Sequence, residues 1–290
     1  MPADVTPSIS VVVPAFNAEA TLAVQLDALL AQATEIDYEI IVVDNNSTDS
    51  TSQIIKKYSE RDSRIRLCVA TRGKGPSYAR NEGIAVARSE RIACCDADDV
   101  VAANWISSMH AALTRHCAVS GVLEVASLNH TDVVAARGSA VAGRAGDFSG
   151  VTFAHGANFG IRKATYDSVG GFDERLRAGE EIDLAIRLLP LDVVFIEVPE
   201  AQVHYRYRVE TSGQWSQAFE NGRVIPYVSR LLKRTRGTSR SRVAGLRNWI
   251  WLVKVVPQLR DPVMRIRWRW VLASRCGTVA GCIRYRTVYL

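Results

Sequence analysis

Three carboxylates fall within four residues at Asp96-Ala97-Asp98-Asp99, directly after the apolar run Ile92-Ala93-Cys94-Cys95. Like charges this close repel and raise one another's pKa, so the arrangement is costly unless a cation sits among them. A set of hard oxygen ligands, with no thiolate or imidazole pair in it, favours Mg²⁺ or Mn²⁺ over Zn²⁺. Such ions are often held by one or two protein carboxylates together with substrate phosphates. An Asp-x-Asp alone is equally what an ordinary turn looks like. What separates the two readings is where the other polar turns of the chain fall.

Those turns follow a regular alternation. Ile9 to Val13 is a β-branched run stopped by Pro14, and Ala20 to Ala31 repeats Leu22, Leu26, Leu29 and Leu30 at helical spacing. Tyr38 to Val43 reads as a second strand, ending in Asp44-Asn45-Asn46-Ser47-Thr48-Asp49, a turn rich in capping residues before a helix near Ser52 to Tyr58. Ile65 to Ala70 makes a third strand. After Gly73-Lys74-Gly75-Pro76 a helix through Arg88 leads to the strand that carries the aspartates. A βαβαβαβ pattern with continuously apolar strands predicts an α/β fold with a mostly parallel sheet covered by helices on both faces. Ligands of such sheets bind beyond the carboxyl ends of the strands. Pro14 to Asn17, Asp44 to Asn46 and Asp96 to Asp99 all belong to that edge, so three separate stretches converge on one crevice.

The chain has 290 residues, 48% of them hydrophobic, enough for one large domain or two small ones. The first residues lack a basic region followed by an apolar segment, and no stretch reaches the roughly 18 apolar residues of a spanning helix. Six cysteines occur without a Cys-x-x-Cys pair and read as reduced core residues. Together these predict a cytoplasmic chain. Charge divides it in two: residues 223–290 hold 16 of the 36 Lys and Arg but one of the 30 Asp and Glu, Asp261. The expected boundary therefore follows residue 222, with a catalytic body over 1–222 and a basic, Trp-containing helical extension over 223–290. A division of this kind implies different partners for the two parts.

The combination Val13-Pro14-Ala15-Phe16-Asn17, Val42-Val43-Asp44-Asn45-Asn46-Ser47-Thr48-Asp49, Ala79-Arg80-Asn81-Glu82-Gly83 and Asp96-Ala97-Asp98-Asp99 resembles, in order and spacing, a family 2 glycosyltransferase with the GT-A (Rossmann-like) fold. Gly156 to Arg162, Gly170-Gly171-Phe172-Asp173 and Gly179-Glu180-Glu181-Ile182-Asp183-Leu184 extend the likeness over roughly residues 8 to 210. The resemblance implies that Pro14, Ala15, Asn17 and Asp44 hold the base and ribose of a nucleoside-diphosphate sugar, with a UDP-type donor favoured. It implies that Asp96, Ala97 and Asp98 serve the ribose and the metal-bridged diphosphate, and that Lys74 and Arg80 lie beside the nucleotide. Taken alone, the last two are ordinary solvated cations.

The family usually has Glu-Asp where this chain has Glu180-Glu181, the Asp being the general base of an inverting transfer; Glu181 keeps the carboxylate and adds a methylene. Asp183 is assigned to the scaffold or to orientation, and Asp173 is the lesser alternative for the base. Strand alternation over Val203 to Arg208 puts His204, Arg206 and Arg208 on one face, and if that face meets the crevice His204 becomes a further metal ligand beside Asp98. Asn129 to Gly150 carries no functional signal. In the tail, arginines interleaved with Trp249, Trp251, Trp268 and Trp270 suit the interface of an anionic membrane more than nucleic acid, and packing on the body or on a second copy is the competing expectation. The expected protein is thus a metal-dependent inverting glycosyltransferase of polysaccharide or glycolipid assembly, acting on a saccharide or lipid-linked acceptor, peripheral on the inner face of the membrane. A nucleotide-sugar-binding assembly subunit and a nucleotidyltransferase are the alternatives.

Overall fold

The computed structural model describes residues 6–137, 145–208, 210–237 and 245–287. Its centre is an eight-stranded sheet. Four parallel strands come first in sequence: β1 (Ile9–Ala15), β2 (Tyr38–Asp44), β3 (Ile65–Val69) and β4 (Arg91–Cys95). They are joined by α1 (Leu22–Leu30), α2 (Thr51–Arg61) and α3 (Pro76–Ala85). The side-chain period of two decides which layer each residue joins. Val11, Val13, Ile40, Val42, Ala93 and Cys95 pack with α1 and α2, while Val12, Ile41, Val43, Ile92 and Cys94 pack on the opposite face with Tyr78, Ala79 and Ile84 of α3.

The remaining elements are β5 (Val100–Val101), α4 (Trp105–Arg115), β6 (Ala118–Glu124), α5 (Thr131–Arg137), β7 (Gly146–Asp147), β8 (Thr152–Phe153), β9 (Asn158–Arg162), α6 (Lys163–Ser168), α7 (Glu180–Leu188), β10 (Ile196–His204), α8 (Thr211–Arg236), α9 (Leu246–Lys254) and α10 (Pro262–Arg284). Strand order in the main sheet is β3-β2-β1-β4-β9-β6-β10-β5, while β7 and β8 pair separately. From β1 the chain first builds outward to β2 and β3, then returns to place β4 on β1's other side. That reversal makes a topological switch point, the usual seat of a ligand crevice. The expected parallel run holds through β4. Beyond it β9 enters antiparallel, pairing Cys95 with Asn158, and so brings Gly156 and Ala157 to the same edge as Asp96.

The expected boundary after residue 222 falls inside α8, which runs unbroken from Thr211 to Arg236. Helices α8 and α10 lie side by side in the same direction at backbone contact. A Cβ at Gly222 would sit 1.9 Å from the Ser274 carbonyl, and one at Gly277 would sit 1.9 Å from that of Phe219. On the body side, Tyr227 of α8 donates to Asp183 of α7 at 3.0 Å, and Arg137 of α5 stacks 3.3 Å from the Trp270 ring of α10. The basic segment is therefore joined to the body by a shared helix and shared packing. Among the described residues no helix is long and apolar enough to cross a membrane. The unassigned stretch from Asn129 contains α5, and residues 138–144 lie outside the described part.

Candidate active site

The acidic turn leaves the switch point between β4 and β5, and a carboxylate oxygen from each of Asp96, Asp98 and Asp99 lies within 4.8 Å of the others. Several elements hold this turn. Gln25, fully buried on α1, donates to the Asp96 carbonyl at 2.9 Å and accepts from the Val101 backbone N–H at 3.0 Å. Arg206, just past β10, donates its backbone N–H to Asp99 Oδ1 at 2.7 Å and its Nε to the Asp98 carbonyl at 2.9 Å. Asp99 Oδ2 is buried with no hydrogen-bond partner. Desolvation in the crevice and the neighbouring Asp96 push the Asp98 carboxyl up to about 6, and burial beside Asp98 raises Asp99 as well.

Arg80 is the residue the sequence places least well. It is 3% exposed, not a solvated cation, and its guanidinium spans the crevice floor. Nη2 donates to Asp96 Oδ1 at 2.7 Å and Nη1 to Glu180 Oε1 at 3.2 Å. One cation thereby ties the end of β4 to the start of α7, whose Glu180 lies a hundred residues beyond Arg80. Glu181, next along α7, accepts from the Gly156 backbone N–H at 3.0 Å through Oε1. A Cβ at Gly156 would meet Glu181 Oε1 at 2.6 Å and Arg80 Nη2 at 2.8 Å, so a side chain there would displace both groups. Burial, reinforced by the charge of Glu180, pushes the Glu181 carboxyl up to about 8 although Arg80 opposes the shift. A carboxyl that titrates near neutrality has a proton affinity suited to acid–base chemistry.

The other predicted residues form the opposite wall. Ala15, buried at the end of β1, accepts from the Asn45 backbone N–H at 2.9 Å. Pro14, half-buried, precedes it. Asn17, exposed and at φ +48°, accepts at Oδ1 from the Thr48 N–H at 2.8 Å, knitting the first two polar turns together. Asp44 is 5% exposed; its carboxylate accepts from the Ser47 N–H at 3.1 Å and from the Ser52 hydroxyl, so it shapes the turn into α2. Ala97 is buried within the acidic turn. Lys74 stays exposed, on a loop that Asn45 fixes by donating to the Gly73 carbonyl at 2.9 Å and accepting from Gly75 N–H at 2.8 Å.

His204 does not join the acids. It is the last residue of β10, paired with Val100, and its Nδ1 lies 2.9 Å from Glu124 Oε2. Against partial desolvation, the His204 contact and the N–H groups of Ala126 and Ser127 hold the Glu124 carboxyl down to about 2. His204 leaves the expected common face, because the strand stops there and its ring meets Glu124, while Arg206 and Arg208 both bring their charge to Asp98. Asn129 takes over the ladder there, donating to the Tyr205 carbonyl and accepting from the Tyr207 N–H, each at 2.7 Å. Asp183 is scaffold, fully buried between Arg187 and Tyr227. Gln25 went unnoticed although it carried a signal, a lone amide on the apolar face of Leu22, Leu26 and Leu29; Asn45 and Arg206 were named only as members of their motifs, without the backbone contacts that hold the Lys74 loop and the acidic turn.

The sequence profile of glycosyl transferase family 2 matches residues 10–170, more than half of the chain. The chain belongs to that family. Among curated relatives of this family 2 member, the succinoglycan biosynthesis protein ExoO of Rhizobium meliloti (strain 1021) is 32% identical over 192 residues, 61% of this chain and 54% of its own length. The chain spans about a third to about half of the length of most of the curated relatives it matches, and under a fifth of two of them. Two solved structures share the architecture. The mannosyltransferase PcManGT of Pyrobaculum calidifontis, in complex with GDP-Man and Mn²⁺, superposes with a TM-score of 0.61 at 17% identity over 95% of this chain and 88% of its own. S. aureus TarS with UDP-GlcNAc gives 0.53 at 18% identity over 97% and 93%. The family 2 member thus has the GT-A fold, with a helical part following its sheet.

Proposed function

We propose that this protein is an inverting glycosyltransferase that moves a sugar from a nucleoside diphosphate to an acceptor hydroxyl in polysaccharide or glycolipid assembly. The observation that carries this reading is the single buried Arg80 that sets the Glu180-Glu181 pair and the Asp96 turn against one crevice. Glu181 takes the proton of the acceptor hydroxyl, whose oxygen attacks the anomeric carbon on the face opposite the diphosphate. The bond from that carbon to the diphosphate oxygen breaks, and the electron pair leaves with the diphosphate, so the anomeric configuration inverts. The walls formed by Ala15, Asn17 and Asp44 hold the base and ribose, and Lys74 lies on the loop beside them.

The acidic turn suits a hard divalent cation: three carboxylates within 4.8 Å of one another, one of whose oxygens is buried without a partner. Asp98, with Asp96 and Asp99, would hold Mg²⁺ or Mn²⁺, which supplies charge neutralisation of the departing diphosphate. His204, engaged by Glu124, is left out of this set. PcManGT carries GDP-Man and TarS carries UDP-GlcNAc, so a UDP-type donor is one of two base classes to screen. Calorimetry should show nucleoside-diphosphate binding in Mn²⁺ that is at least about tenfold weaker in EDTA or in Asp98→Asn. Equal affinity in EDTA removes the metal from the reading. Release of pyrophosphate instead of nucleoside diphosphate would replace glycosyl transfer by nucleotidyl transfer.

We propose further that the helical part rests on an anionic membrane surface, a reading supported by one exposed face. On α9, Leu246, Ile250 and Val253 expose 52%, 48% and 74% of their surface along one face, and Arg247 and Lys254 stand beside them. An apolar stripe flanked by cations is the layout of a helix lying in a headgroup region. Each cation near an anionic surface is worth about 1 kcal/mol, screened by salt. Truncation at 223 would cut α8, so the test is Ile250→Glu with Val253→Glu in the full chain. Phosphatidylglycerol vesicles should co-sediment the unsubstituted protein more than phosphatidylcholine vesicles do, and the double variant much less. Equal behaviour of the two lipids, or of the two proteins, would rule this surface out.

A further inference from the structure

A second charged site lies away from the acidic crevice, where the C-terminal halves of α8 and α10 meet the loop before α7. They line a half-open pocket of about 530 Å³ whose five arginines are exposed. Arg230 and Arg234 reach it from successive turns of α8, Arg284 and Arg286 from the end of α10, and Arg175 from the loop. Tyr227 and Tyr285, with ring centroids 5.3 Å apart, complete the wall. Its volume falls within the range of roughly 300–1,000 Å³ typical of small-ligand sites.

Five guanidiniums share this cavity, and their compensation is incomplete. Asp173 pairs with Arg175, accepting from its Nε at 2.8 Å and its Nη2 at 2.7 Å. Arg230 donates to the Tyr285 carbonyl at 3.3 Å, a contact that the negative end of α10 rewards. Arg284 packs on the Tyr285 ring at 5.8 Å. Among the described residues, Arg234 and Arg286 have neither an ion pair nor a side-chain hydrogen bond. Two helix C-termini amount to about one negative charge between them, which together with Asp173 leaves most of the five positive charges unmatched among the described residues. Solubility would be served as well by cations spread over a convex surface. Gathered in a concavity, they focus a positive potential, and the guanidinium fork matches phosphate oxygens better than any other side chain.

We propose that this cavity is a binding site for a diphosphate group, distinct from the donor crevice. A diphosphate presents several anionic oxygens to arginines on three sides, and the Tyr227 wall is already coupled to α7 through its hydrogen bond to Asp183. The group is either the free ion or the head of an isoprenoid-linked saccharide, and both offer the same chemistry.

Calorimetry on the full chain in EDTA at low salt separates this site from the metal-dependent one. Inorganic pyrophosphate should bind, and Arg234→Ala with Arg286→Ala should weaken it at least about tenfold, since charge-assisted bonds to phosphate are among the strongest available. Asp98→Asn should bind as the unsubstituted protein does, whatever becomes of the donor reading. Lysine at both arginine positions should restore part of the affinity, and unchanged melting of that variant shows that the fold is intact. Farnesyl diphosphate binding more tightly than pyrophosphate assigns the site to a lipid-borne diphosphate; equal affinity assigns it to the free ion. No binding of either at about 1 mM overturns the proposal. So does pyrophosphate binding that survives the double alanine variant, or that is lost instead in Asp98→Asn.

Discussion

Replacing Glu181 with Gln is expected to lower kcat roughly 10²- to 10⁴-fold while leaving donor affinity within a few-fold of its original value. Gln has the shape of Glu, and its carbonyl oxygen can still accept from the Gly156 N–H that positions Glu181. What it loses is proton affinity. The donor wall and the acidic turn lie on other elements, so the measurement to make is transfer rate beside calorimetric donor binding. Retained turnover, or a product with the donor's anomeric configuration, would move the base elsewhere.

The same group sets a pH dependence with a definite sign. With its carboxyl pushed from the ordinary 4.5 up to about 8 by burial and Glu180, Glu181 is a competent base only once deprotonated, so kcat/KM should climb with pH and level off above about 8. A raised carboxyl pKa means that the folded state prefers the neutral form. Its contribution to stability is complete below 4.5 and is lost as pH rises through about 8. Glu181→Gln should therefore melt close to the unsubstituted protein at about pH 4 and above it at about pH 9. A variant that melts lower at the alkaline end contradicts the burial of this carboxyl.

The first four strands were legible because β1 and β2 are nearly unbroken β-branched runs and β3 and β4 short, largely apolar ones, and their alternation with helices fixed the edge at which Ala15, Asp44 and Asp96 emerge. β9 was not legible as a strand. Asn158, Gly160 and Arg162 have little strand propensity, and what pairs them is the waiting edges of β4 and β6. His204 was misplaced for a related reason. Alternation describes a strand only while it lasts, and beyond His204 side chains of Asn129 and Asp99 capture the backbone. The division at residue 222 followed charge, and a change of charge does not end a helix: α8 crosses it because its packing partner α10 lies further along the chain. Arg80 sits in Ala79-Arg80-Asn81-Glu82, which reads as a helix surface. Its burial is decided by acids 16 and 100 residues away.

That burial makes Arg80→Ala the most disruptive single change expected. In the folded protein the cost of desolvating Arg80 is offset by the nearby Asp96, Glu180 and Glu181, which hold it charged. Removing the guanidinium leaves Glu180, 3% exposed, and the half-buried Asp96 without a counter-ion. Breaking a buried pair in this way typically costs about 3–5 kcal/mol, against about 0.5 kcal/mol or less for the exposed Lys74→Ala. Arg80→Lys keeps the charge but cannot reach both acids with a fork, so it should fall between the two. The loss should depend on pH, because the stranded carboxyls can escape by taking protons: denaturant unfolding should show a smaller deficit at about pH 4 than at about pH 7. Transfer should fall as well, since the cation that opposes the upward shift of Glu181 is gone and less of the base is ionised at neutral pH. A deficit below about 1 kcal/mol at pH 7, or one that does not change with pH, would mean that Arg80 does not hold the two halves of the crevice together.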